Sequence, residues 1–206
     1  MIAEADARVL EYGSTVALVA GGHITPLARD TLRERRVSVV TEGATVDGES
    51  LAPVGAIRTV AVAGDHTAVA LVAGVLRHLR GRGLAAHDLG ATSSDPVDYP
   101  DTAGAAARAV ARGEADAAVV IDGSGLGSTI AANKIAGIRA AMCLDAALAR
   151  SAREHCGANV LGLGARLVTL EQAVAILDAF ITTPMREARY IRRLAKIREL
   201  ERRAPE

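Results

Sequence analysis

The stretch that most constrains the fold is residues 117–134, AAVVIDGSGLGSTIAANK. Residues 117–121 are uniformly apolar and read as a buried strand. The strand ends in Asp122, after which Gly123, Gly125 and Gly127 alternate with Ser124, Leu126 and Ser128, and a helix-like IAANK follows. A strand that passes through a loop of small residues into a helix N-terminus turns backbone N–H groups and the positive end of a helix dipole toward one point. Small residues at that point let a ligand approach the backbone closely. Such a unit belongs in an α/β sheet, and the rest of the chain must supply its neighbours.

From Arg58 onward strands and helices alternate. Residues 59–63 (TVAVA) read as a buried strand ending in Gly64-Asp65-His66, followed by a helix over 69–82 closed by Gly83. Residues 84–89 form the next strand, 93–101 a polar loop, and 102–113 an alanine-rich helix. Beyond the glycine loop come a strand at 138–143, a helix at 145–154, a strand at 159–163 and a helix at 169–181. Pro184 interrupts before a charged terminal helix at 186–203. This alternation predicts an α/β fold, a parallel sheet with helices on both faces. Its ligand site is expected beyond the carboxyl ends of the strands, where Asp65-His66 and Asp122 both fall.

Residues 1–41 form a small α/β extension ahead of this domain. A weakly apolar helix lies within 1–14, a strand at 15–20, and Thr25-Pro26 opens an amphipathic helix before a strand at 37–40. Residues 42–56 lack periodicity and read as a linker to the main domain at 57–206.

Composition narrows the function. Half of the 206 residues are apolar but only 2% are aromatic, so the core must be built from Ala, Val, Leu and Ile. The charges balance at 24 basic and 24 acidic, which points to neither nucleic acid nor a membrane surface as partner. Cys143 and Cys156 show no disulfide framework and no zinc-ligand spacing, consistent with a reducing, cytoplasmic setting and no metal. The N-terminus has no apolar signal region, and no apolar run is long enough to cross a membrane. A cytoplasmic protein is expected.

Several separated motifs carry a resemblance. AGDH at 63–66, DYP at 98–100, GSGLGSTIAANKIAGIRA at 123–140, REH at 153–155, NVLGLGAR at 159–166 and the late Arg189 and Arg193 are similar, in order and spacing, to the ribose-5-phosphate isomerase B family, which includes galactose-6-phosphate isomerase subunits. The resemblance spans Arg58 to about Leu200. It implies a Rossmann-like sheet and a homo-oligomer, dimer or tetramer, whose sites are shared between two subunits. It also implies interconversion of an aldose phosphate and a ketose phosphate through an enediolate, without metal or organic cofactor. The expected substrate is ribose 5-phosphate, with ribulose 5-phosphate as product in the pentose phosphate pathway. A tetrose phosphate is the alternative substrate, and a non-catalytic sugar-phosphate-binding protein the alternative class.

The resemblance also distributes roles. His66, after Asp65, stands where the family binds substrate, and Tyr99 lines the sugar pocket. His155 matches the proton donor for ring opening, and Ser124 a hydroxyl residue that assists it. Gly123, Gly125, Leu126 and Gly127 match the segment offering N–H groups to the enediolate oxygens. Arg189 and Arg193, one turn apart, match the phosphate clamp, for which planar guanidinium groups are suited. Arg166 matches a further substrate contact.

The departure falls on the base. Family members carry either a cysteine just before the glycine loop or a glutamate within it; this chain has Asp122 and Ser128 at those places. Asp122 is the natural replacement. An exposed aspartate, with a pKa of about 3.9, is a weak base at neutral pH, and burial behind Ile121 is expected to raise it. A second departure is Cys156, at the place of an asparagine. Finally, residues 19–40 resemble an ITP-x-AR-x-x-L-x-E pattern of enzymes associated with bacterial microcompartments, which makes them a candidate docking or oligomerisation element.

Overall fold

The computed structural model describes residues 1–19, 21–41, 45–46, 49–50, 56–91, 95–185 and 188–202. They divide into two compact units, Met1–Val54 with Arg186–Glu206, and Gly55–Met185.

In the first unit, α1 (Glu4–Val9) precedes β1 (Thr15–Leu18), and α2 (Pro26–Glu34) crosses over to β2 (Ser38–Thr41), which pairs with β1 in parallel. Thr25 caps α2, its Oγ1 accepting the Ala28 N–H at 3.3 Å, and Pro26 opens the helix where its missing N–H costs nothing. Ala7, Ala28, Leu32 and Val37 make a small core. The expected linker holds a short antiparallel pair, β3 (Thr45–Val46) with β4 (Glu49–Ser50); its remaining positions up to 55 lie outside the described residues.

The second unit is a parallel sheet of β5 (Thr59–Gly64), β6 (Ala85–Asp88), β7 (Ala117–Asp122), β8 (Ala140–Met142) and β9 (Val160–Gly164), in the order β6-β5-β7-β9-β8. The central strands are buried on both faces, as all-parallel sheets are. One face is covered by α3 (Val69–Gly81), α6 (Ala146–Cys156) and α7 (Leu170–Thr182), over Val60, Val62, Val119, Ile121, Leu161, Leu163 and the fully buried Phe180. The other is covered by α4 (Tyr99–Ala111) and α5 (Leu126–Ala132), and its core is mostly alanine: Ala61, Ala63, Ala103, Ala106, Ala107 and Ala118. Each fully buried Val or Leu contributes about 1.5–3 kcal/mol. The alanines contribute less burial but give α4 the highest intrinsic helix preference.

The polar loop expected through residue 101 ends earlier than that. Asp98 takes the N-cap position of α4, so Tyr99 is its first residue and Pro100 sits in the first turn. The terminal helix, α8 (Ala188–Arg202), packs against β1 and belongs to the first unit, although sequence continuity had placed it in the 57–206 domain.

Gly125 marks where the glycine loop has least room. Its φ is +79°, and a Cβ there would sit 2.8 Å from the Leu163 carbonyl carbon and 2.9 Å from the Gly164 nitrogen. Gly125→Ala is therefore expected to cost about 2–4 kcal/mol, read as a lower urea midpoint with an unchanged slope.

Candidate active site

The strand order reverses at β5 and β7, and the crevice beyond their carboxyl ends is where α/β sheets bind ligands. Gly64 pairs with Ile121 in the ladder, and the Asp65 N–H donates to the Ile121 carbonyl at 3.1 Å. Asp65 and Asp122 therefore leave adjacent strands at the same level, 6% and 5% exposed. Asp65 Oδ1 accepts the N–H and the hydroxyl of Thr67, at 2.9 and 2.6 Å. His66 Nδ1 accepts the Val97 N–H at 3.3 Å, which leaves its ring proton on Nε2 as a donor.

Asp122 turns inward. Its Oδ1 accepts the Ser124 N–H at 2.7 Å, the Ser124 hydroxyl at 3.1 Å and the Gly125 N–H at 2.7 Å; Oδ2 accepts the Ser128 N–H at 2.6 Å. The Leu126 N–H donates to Ser124 Oγ at 3.2 Å. The N–H groups of Ser124, Gly125, Leu126 and Ser128 are thus committed inside the loop, and the anion most of them surround is the chain's own carboxylate. This corrects the expectation that Gly125 and Leu126 present their N–H groups outward. It also reverses the expected direction of the Asp122 pKa. Burial pushes the carboxyl up, but the hydrogen bonds from Ser128, Ser124 and Gly125 outweigh it and hold the group below its ordinary value of 3.8. The Ser128 side chain also lowers the pKa, although in this residue, 1% exposed, the hydroxyl oxygen is buried and makes no hydrogen bond of normal geometry.

Three groups border the loop. The Tyr99 ring covers Gly127 so closely that a Cβ there would lie 2.7 Å from the ring, while Tyr99 itself stays 42% exposed. Arg166, exposed at the end of β9, donates its N–H to the Gly123 carbonyl at 3.0 Å. Its Nε and the Thr67 hydroxyl lie 3.5 and 3.6 Å from where a Gly123 Cβ would be. Asp65, His66, Tyr99, Gly123, Ser124, Gly127 and Arg166 are therefore gathered at one end of the sheet with Asp122.

Thr67 joins them without having been anticipated; the Asp-x-Thr spacing of a side-chain-bonded turn was the available signal. Asn133 has a structural role. Its Nδ2 donates to the Ala140 carbonyl at 2.9 Å and its Oδ1 accepts the Ala140 N–H at 2.8 Å, tying the end of α5 to β8.

His155 is not among this group. It lies in the last turn of α6, with Nδ1 3.1 Å from the Ser151 hydroxyl, just before Gly157 closes the helix and β9 begins. That is the amino end of β9, whereas the glycine loop abuts Gly164 at its carboxyl end. At about 3.3 Å per residue the strand separates them by roughly 16 Å. Arg193 is exposed on α8, and the Arg189 side chain lies outside the described residues. Among the described residues no cluster of side chains suits a metal ion, and no helix is long and apolar enough to cross a membrane.

The fold and this crevice define an α/β protein of parallel-sheet type whose site is built from strand-end acids and a glycine loop at the switch point. A family model described as Ribose/Galactose Isomerase matches residues 60–197. Ribose-5-phosphate isomerase B of Escherichia coli is 40% identical over 147 residues, 71% of this chain and 99% of that protein. Ribose-5-phosphate isomerase B of Mycobacterium leprae is 40% identical over 140 residues, 67% of this chain and 86% of that one. Among solved structures, ribose-5-phosphate isomerase B of Clostridium thermocellum superposes with a TM-score of 0.69 at 40% identity, covering 70% of this chain and 97% of that one. The enzyme of Mycoplasma genitalium, solved with bound ribulose-5-phosphate, gives 0.68 at 34% identity, covering 71% and 97%. The chain belongs to the ribose/galactose isomerase family.

Proposed function

We propose that this chain is an aldose–ketose isomerase of a phosphorylated sugar, interconverting ribose 5-phosphate and ribulose 5-phosphate by proton transfer through an enediolate. The observation that supports this most directly is the gathering of Asp65, His66, Tyr99, Ser124 and Arg166 around the Asp122 loop at the switch point, in a chain 40% identical to ribose-5-phosphate isomerase B of Escherichia coli. Asp122 takes the proton from the sugar carbon through Oδ2, which accepts one N–H where Oδ1 accepts three donors. Ser124 serves the sugar oxygens, and the Nε2–H of His66 together with Arg189 and Arg193 binds the phosphate. No cofactor is required, because a base, donors for the oxyanion and a cationic clamp suffice for this chemistry.

The position of His155 supports a homo-oligomer with shared sites: a proton donor at the amino end of β9 reaches a sugar at the carboxyl end only when a second copy presents it. We also assign residues 19–40 a docking role within a bacterial microcompartment in the cytoplasm. Leu27, 57% exposed on the first turn of α2, suits such a contact. Leu27→Asp is expected to release the chain from a sedimenting shell fraction while leaving its turnover unchanged.

A panel of phosphorylated C4, C5 and C6 sugars tests the main reading, with ribose 5-phosphate expected to give the highest kcat/KM. A tetrose phosphate turning over fastest moves the assignment to the shorter substrate. The four hydrogen bonds that Asp122 accepts from its own loop favour a second reading, in which it only anchors the loop and the chain binds sugar phosphates without converting them. Binding of those esters with no turnover of any would establish that reading and end the enzymatic one.

A further inference from the structure

The two faces of α8 differ. Tyr190 and Leu194, one turn apart, are 5% and 2% exposed, while Arg192, Arg193 and Lys196 face solvent. The helix has 15 residues and is dominated by charge, a length at which an isolated helix is marginal in water. Its docking against β1 therefore matters to its stability, and that strand belongs to the extension outside the family match at 60–197. The Arg193 guanidinium lies over the Tyr190 ring, 5.6 Å from its centroid, within the range of a cation–π contact.

An arginine on a free stem loses rotamer freedom when it grips a phosphate. An arginine already stacked on a ring that is itself buried has lost part of that freedom beforehand, so less is lost on binding. We propose that Tyr190 is a positioning residue for the phosphate clamp, and that the N-terminal unit is the seat that holds the helix carrying it. This gives the extension a part in substrate binding, and it rests on the reading of Arg189 and Arg193 as phosphate ligands.

The test measures inorganic phosphate affinity by titration, alongside KM and kcat for ribose 5-phosphate, on the full-length chain. Arg193→Ala is expected to weaken phosphate binding about tenfold, as loss of a charged hydrogen-bonding group does. Tyr190→Leu, and Arg193→Lys at an exposed position that leaves the fold intact, are expected to raise the phosphate Kd and KM about two- to fivefold, with kcat within about twofold of wild type. Tyr190→Phe keeps the ring and should hold the phosphate Kd nearer to wild type than Tyr190→Leu does. The Tyr190→Leu/Arg193→Ala double variant should bind no worse than Arg193→Ala alone, because the tyrosine acts through the arginine. In the wild type, phosphate should also slow amide exchange in β1 as well as in α8.

If Arg193→Ala weakens binding while Tyr190→Leu and Arg193→Lys do not, or if the double variant is additive, the positioning role is overturned and the clamp stands. Slowed exchange in α8 without any change in β1 removes the seat. Unchanged phosphate affinity in Arg193→Ala removes the clamp reading itself, and the proposal with it.

Discussion

Asp122→Asn is expected to lower turnover of ribose 5-phosphate by about 100- to 10,000-fold, the range over which a positioned acid or base acts. The same change is expected to destabilise the fold by about 2–4 kcal/mol, because an amide nitrogen cannot accept the N–H groups aimed at a carboxylate oxygen. Denaturant midpoints against pH isolate the charge. The folded-state pKa of Asp122 is depressed, so its contribution is fully present above the ordinary value of 3.8 and is lost as pH falls through the lower, folded value. The wild type should lose stability in that acid window, and Asp122→Asn should lack this component. Asp122→Cys separates the two roles. A thiolate restores a base but not the anchor, so turnover should recover in part as pH rises toward a thiol pKa of about 8.5 while stability stays low. Turnover equal to wild type in Asp122→Asn would rule the carboxylate out as the base.

The second large effect comes from mixing. Asp122→Asn and His155→Ala should each be nearly inactive alone, but co-refolded in equal amounts they should regain about a quarter of wild-type activity. In a random mixture half of the two-fold dimers are mixed, and each mixed dimer has one intact site. This follows from His155 lying at the opposite end of β9 from the loop that holds Asp122. Activity no greater than the sum of the two variants would confine each site to one chain and remove His155 from it.

Much of this architecture was legible in the residues. Strands such as 59–63 and 117–121 are short apolar runs between helix-period segments, and the turn-closing Gly83 and the Thr25-Pro26 cap declare themselves locally. The strand order was not legible, since an apolar strand buried on both faces carries no mark of its neighbours. The start of α4 was misplaced by three residues, because Pro100 reads as a breaker although the first helical turn tolerates it. At the site, the spacing of Gly123, Gly125 and Gly127 revealed a cradle but not its occupant. Whether an aspartate at a strand end points out to a ligand or folds back onto its own loop is decided by side-chain rotation, which periodicity does not encode. Burial suggested a raised pKa for Asp122, but several donors aimed at one carboxylate outweigh desolvation. The terminal helix was assigned by its place in the chain, whereas the apolar stripe of Tyr190 and Leu194 specifies only that it docks, not where.

A fixed negative charge beneath the crevice gives an arriving sugar phosphate a direction of entry. Like charges about 8 Å apart repel by roughly 2 kcal/mol per charge pair at an effective dielectric of about 20, and a phosphate ester carries close to two charges at neutral pH. The N–H groups around Asp122 offset part of this field, yet none of them neutralises it as a proton would. A molecule entering phosphate-first climbs that gradient, while one entering with its neutral carbonyl end leading does not. On the reading of this loop as the place of proton transfer, that gradient is expected to turn the reacting carbons inward and leave the ionic end at the mouth.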